Sequence, residues 1–123
     1  MIDIDKFLDE YRNSMIVNYC DDCVIIGLPF FHYGHDEGIA IRLDEKDGGL
    51  VLSDCHTTED YLDAQGIELA DFGERLEKII KRFGLVHDGN VFRKKVPGPV
   101  DNSFKRYLGY FIQALSIIAN IDI

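Results

Sequence analysis

The stretch from Leu28 to His56, LPFFHYGHDEGIAIRLDEKDGGLVLSDCH, sets the tightest limit on what this chain can fold into. It reads as a turn rich in His, Asp and Gly, then a strand over Gly38 to Leu43. A turn over Asp44 to Gly49 and a second strand over Leu50 to Ser53 follow. Upstream, Met15 to Tyr19 and Val24 to Phe30 are rich in Val, Ile and aromatic residues. Cys20 and Cys23 bracket an Asp-Asp pair that suits a tight hairpin turn. Pro29 ends the second of these strands or places it at an edge. Four strands joined by short turns predict an antiparallel meander.

Helical spacing takes over on both sides of the meander. Ile2, Ile4, Phe7, Leu8 and Tyr11 predict a short amphipathic helix over residues 3 to 13. Thr57-Thr58-Glu59-Asp60 opens a second, with Thr57 as cap, Asp60 as its reciprocal partner and Gly66 as the stop. Asp71 is placed to cap a third, whose apolar face is Phe72, Leu76, Ile79, Ile80 and Phe83, and Gly84 closes it. Leu85 to Val96 reads as a short hairpin around Asp88-Gly89-Asn90. Asp101 to Ile121 is the last helix, with Phe104, Leu108, Phe111, Ile112, Leu115 and Ile118 toward the core. Its second apolar stripe is Tyr107, Tyr110, Ala114, Ile117 and Ile121, which asks for cover from outside the domain. The expected fold is α+β: one domain over residues 1 to 123, an antiparallel meander with helices packed on it and a long apolar C-terminal helix.

Size and charge narrow the function classes. At 123 residues the chain buries a core without help from metal or disulfides, which become necessary mainly below about 40 residues. The N-terminus lacks a basic start and apolar run, and the longest apolar run falls short of the roughly 20 residues that span a bilayer. Three cysteines without framework spacing agree with a reducing compartment, so a cytoplasmic protein is expected, with no membrane partner. The net charge of −9 is uneven: residues 1 to 72 hold 17 acids and 4 cations, residues 73 to 123 hold 5 and 9. Phosphate backbones are repelled by the first part.

Several motifs in order carry a family resemblance. They are Leu28-Pro29-Phe30, His35-Asp36, Leu52-Ser53-Asp54, Gly66, Phe83-Gly84, Asp88-Gly89 and Gln113-Ala114. Over about residues 15 to 121 the chain resembles a bacterial and phage family known only as domain of unknown function eighteen twenty-eight. The resemblance implies the fold and a bacterial, phage or mobile-element origin, and it brings no activity. Cys55-His56 stand where that family has Asp-Gly, so no family role passes to them.

Five groups of residues are candidates for function. Asp36 and Asp54, near the ends of paired strands, form a carboxylate pair of the kind that holds a divalent metal for hydrolysis; pairing Leu43 with Leu50 sets Asp54 beside Ile39. The competing and expected role is architectural: Asp54 accepts backbone N–H groups ahead of the following helix, and Asp36 orders the Gly-rich turn. Cys20, Cys23, Cys55 and His56 have zinc-binding chemistry, but adjacent strand residues point to opposite faces. Cys55 with His32, His35 or His56 is a nucleophile in search of a base. Two helices followed by a hairpin bearing Arg93-Lys94-Lys95 have the order of a winged helix-turn-helix, to which Lys78, Lys81, Arg82, Lys105 and Arg106 could add a basic face. Finally, Asp36, Asp44, Glu45 and Asp47 present an acidic face for a protein partner, and the second stripe on the last helix suits a homodimer.

With no complete catalytic set, the expected function is a non-enzymatic interaction or regulatory protein without a cofactor, acting on a protein partner through the acidic face. For a phage or mobile-element protein that includes blocking a host defence nuclease by placing carboxylates where phosphates bind. The alternatives are a metal-dependent hydrolase or nuclease using Asp36 and Asp54, and a nucleic-acid-binding module.

Overall fold

In the computed structural model, which describes residues 2–30, 32 and 38–123, the meander is part of one six-stranded antiparallel sheet. Helix α1 (Ile4–Asn13) leads into β1 (Ile16–Tyr19) and β2 (Cys23–Gly27). After β3 (Ala40–Lys46) and β4 (Gly49–Ser53) come α2 (Thr57–Ala64), a short 3₁₀ turn (Leu69–Phe72) and α3 (Gly73–Phe83). The chain then returns through β5 (Val86–Asp88) and β6 (Val91–Pro97) and ends in α4 (Phe104–Ala119). The strand order is β1-β2-β3-β4-β6-β5. The 85–96 hairpin forms as expected and joins the meander, because β6 pairs with β4. An α+β single domain is what the alternation of strands and helices predicted. No helix is long and apolar enough to cross a membrane, among the described residues.

Turn chemistry corrects the register of the central hairpin. Lys46 pairs with Gly49, so the turn is Asp47-Gly48, both at positive φ (53° and 79°). An Asp-Gly pair is the favoured two-residue turn because its twist matches the strands it joins. Leu43 consequently sits opposite Leu52, not Leu50, and Asp44 and Glu45 belong to β3. Past the ladder, Gly38 passes so close to Leu28 that an added Cβ would lie 2.3 Å from the Leu28 carbonyl oxygen. The strand pair continues there through Leu28 N–H to Ile39 O and Ile39 N–H to Phe30 O.

One face of the sheet carries the core. Ile41, Leu43, Leu50, Leu52, Phe92 and Val96 are buried there with residues of α2, α3 and α4, notably Leu62, Leu76, Phe111, Leu115 and Ile118. The alternate residues Arg42, Asp44, Val51, Arg93 and Lys95 stand on the other face, exposed or half-buried. Each helix ends as its Gly predicts, with Gly66 and Gly84 in the left-handed conformation. Asp71 caps nothing: it lies inside the 3₁₀ turn, and α3 begins after Phe72.

Candidate docking surface

Asp54 is a structural strut. It is fully buried between β4, β6 and the start of α2. Its Oδ1 accepts from the N–H of Phe92 at 3.0 Å and of His56 at 3.3 Å, and its Oδ2 from the N–H of Thr58 at 3.4 Å. Its own N–H donates to Phe92 O, and its carbonyl accepts from the Thr57 N–H and hydroxyl. Cys55 and His56, both left-handed, turn the chain over the carboxylate. The expected box between Thr57 and Asp60 does not form, because the Thr57 hydroxyl turns back to Asp54 and the Asp60 N–H donates to His56 O. Fully buried and bonded to three backbone donors, Asp54 is committed to holding the backbone. Asp36 and His35 lie outside the described residues. Among the described residues no three His, Cys, Asp or Glu side chains gather as a metal site.

The cysteines divide differently from the expectation. Cys20 and Cys23 are joined as a disulfide across the β1–β2 turn, with Cα atoms 4.9 Å apart. That removes two of the four zinc ligands and runs against the reading of reduced thiols in a reducing compartment. Neither Asp21 nor Asp22 adopts the positive φ that favours a two-residue hairpin, so the covalent link closes the tip where the turn alone would splay the strands. Cys55 is half-buried, and burial first, then the charge of Asp54, pushes its thiol pKa up. A thiol held protonated is a poor nucleophile at neutral pH. His32 is buried with its ring 4.8 Å from that of Tyr61.

Some of the candidate charged residues are engaged within the fold. Asp44, half-buried, is held by Arg42 through two bonds of 2.9 and 3.1 Å, so it belongs to the open face of the sheet as one half of an ion pair. Glu45 and Asp47 remain exposed. Together with Asp21 and Asp22 they surround one end of the sheet, where a cleft of about 960 Å³ is lined by Asp21, Asp22, Glu45, Leu50, Pro99 and Val100 among others. The winged-helix reading fails on topology. β6 is bonded on both edges, Lys94 reaches inward to the Phe83 carbonyl, and Arg93 meets Asp88. Lys78, Lys81, Arg82, Lys105 and Arg106 are exposed on α3 and the start of α4.

The second stripe of α4 is mostly inside the molecule. Ala114 and Ile121 are 0% and 2% exposed, Tyr107 and Ile117 pack against the core, and only Tyr110 stands out at 51%. Helices α2 and α3 of the same chain pack against α4. Of the predicted dimer face only Tyr110 is left exposed, with Tyr107 and Ile117 half-buried.

The exposed apolar surface lies elsewhere. Of the thirteen large hydrophobic side chains exposed among the described residues, nine fall between Ile2 and Phe30. Helix α1 has no buried residue, and its apolar stripe of Ile4, Phe7, Leu8 and Tyr11 is joined to the sheet through ring contacts from Phe7 to Tyr11 and from Tyr11 to Phe30. Every residue of β1 is exposed. The sequence predicts helices packed on the meander, whereas α1 and β1 are left largely exposed. The only sequence signal to the contrary is that β1 and β2 open the sheet, and an opening hairpin has no later strand guaranteed to cover it. The chain matches no known protein family, no characterised relative and no solved structure.

Proposed function

We propose that this chain is a non-enzymatic interaction protein that docks on another protein through its N-terminal layer, α1 and β1. The concentration of exposed apolar side chains in that layer carries the reading. Monomers rarely show contiguous apolar patches beyond about 300–600 Å², and larger ones mark contact sites. Asp21, Asp22, Glu45 and Asp47 at the adjoining end of the sheet add the acidic component, which steers a basic surface into register more than it adds affinity. The engagement of Asp54 by three backbone donors supports the non-enzymatic part. We place it in a bacterial, phage or mobile-element setting, as the sequence resemblance implies.

Photo-crosslinking in cells tests the docking. The photoreactive residue p-benzoylphenylalanine is placed at Phe7 or Val17, with Lys81 on α3 as control. Protein adducts at the first two positions and none at the control are expected. No adduct at either Phe7 or Val17 overturns the reading.

A further inference from the structure

We infer that the occupant of this surface is a second copy of the chain, with β1 pairing antiparallel to β1 so that two six-stranded sheets run into one. This rests on the docking reading and names its partner.

The backbone of β1 supplies the first argument. The Cys20 N–H donates to Cys23 O, which makes that pair a hydrogen-bonded one. Hydrogen-bonded and non-bonded pairs alternate along an antiparallel ladder. Asn18, opposite Ile25, and Ile16, opposite Gly27, therefore bond to β2, while the N–H and C=O groups of Val17 and Tyr19 point to the open edge. Two copies related by a two-fold axis at Asn18 bring Val17 of one opposite Tyr19 of the other. All the outward groups of those two residues then pair reciprocally, as an isologous interface requires.

The edge also lacks the charge and Pro that commonly protect one. Sheets blunt a free edge with charge, Pro, a bulge or a very short strand. The opposite edge, β5, is three residues long and ends in Asp88 and a Gly turn. β1 reads Ile-Val-Asn-Tyr, with no charge and no Pro, and Ile16 and Tyr19 are 61% and 82% exposed.

Exposure and charge select the occupant. Val17 and Tyr19, whose outward backbone groups would pair across the axis, carry their side chains on the same face of β1, 48% and 82% exposed, so two copies bring them directly opposite each other. A lipid surface fits poorly, because the polar side of α1 carries Asp5, Asp9 and Glu10 against Lys6 and Arg12, whereas interfacial helices are rich in cations. Those acids lie across the helix from Ile4, Phe7, Leu8 and Tyr11, so they do not meet in a seam between copies.

Sedimentation equilibrium of the full chain from micromolar to millimolar concentration decides the matter. A mass rising to twice 14.0 kDa is expected. Val17→Pro removes an outward N–H that has no acceptor in β2, so it is expected to keep the native circular dichroism. It should raise the dimer dissociation constant by about tenfold or more, as the loss of edge hydrogen bonds requires. Val17→Lys, which leaves the backbone intact and sets two cations near the axis, is expected to weaken the dimer too and serves if the Pro variant misfolds. A dimer indifferent to both substitutions overturns the inference. So does a monomer at every concentration; crosslinks from Phe7 and Val17 to a different protein would then leave the docking reading standing, and their absence would remove both.

Discussion

Replacing Asp54 by Ala removes a fully buried carboxylate that accepts from three backbone N–H groups, one each on β6, the turn and α2. A hydrogen bond to a charged group is worth about 1.5–3 kcal/mol, and an orphaned buried donor costs about 1–3 kcal/mol. The Phe92 bond at 3.0 Å counts in full; those of His56 and Thr58, at 3.3 and 3.4 Å, count for less. The expected loss is about 3–5 kcal/mol, a large share of the roughly 5–15 kcal/mol that holds a domain folded. Asp54→Asn keeps the shape and one acceptor for Phe92 but turns an NH₂ toward another donor, so about 1–3 kcal/mol is expected. Urea unfolding followed by circular dichroism measures both, with an unchanged slope confirming that only stability moved. A carboxylate kept for a metal behaves in the opposite way, because removing it relieves a strained site. An Asp54→Ala protein within about 1 kcal/mol of the parent, or more stable than it, refutes the strut.

Three further outcomes follow from single observations. Thiol titration of the native chain without reductant is expected to count one group, Cys55, and three after reduction and unfolding; reduction also costs about 2 kcal/mol, the loop-closure entropy of so small a ring. Cys55 should alkylate slowly at neutral pH and accelerate only above the ordinary thiol value of 9.0, since its pKa is raised. The folded state holds that proton more tightly than the unfolded chain, so the linked stability is complete below 9.0 and lost as pH rises through the raised value; rapid alkylation at neutral pH contradicts this. Gly38→Ala should destabilise by about 1–3 kcal/mol, because its Cβ meets backbone that does not yield, 2.3 Å from Leu28 O; a variant that melts with the parent would show that the strands part more easily than their geometry implies.

Local chemistry was legible in the sequence, and neighbours at long range were not. Asp54 before a helix announces an acceptor of backbone donors, and so it proved. Its best bond, to the N–H of Phe92, spans 38 residues and left no local trace. The same holds for β6: alternation tells which face a side chain takes but not which strand lies beside it, so the pairing of β6 with β4 left no sign in the sequence. Asp47-Gly48 was read as part of a longer Gly-Gly turn, which displaced the β3–β4 pairing by two residues and put Asp44 in a loop. Both stripes of α4 are apolar, and periodicity cannot say whether a stripe is covered by the chain's own helices or by another molecule. The docking surface was missed for the mirror-image reason. Ile4, Phe7, Leu8 and Val17 have the pattern of core residues, and only the folded structure shows that they stay about half exposed.

Residue-resolved hydrogen exchange at Val17 and Tyr19 measures most directly whether β1 is a docking edge. In the free chain these outward amides are expected to exchange quickly, while those of Ile16 and Asn18 are held by β2. As protein concentration rises through the range where the mass doubles, Val17 and Tyr19 should become protected and Ile16 and Asn18 should change little. Fast exchange at Val17 and Tyr19 throughout that range, with the mass doubled, would place the contact elsewhere and contradict the role assigned to this edge.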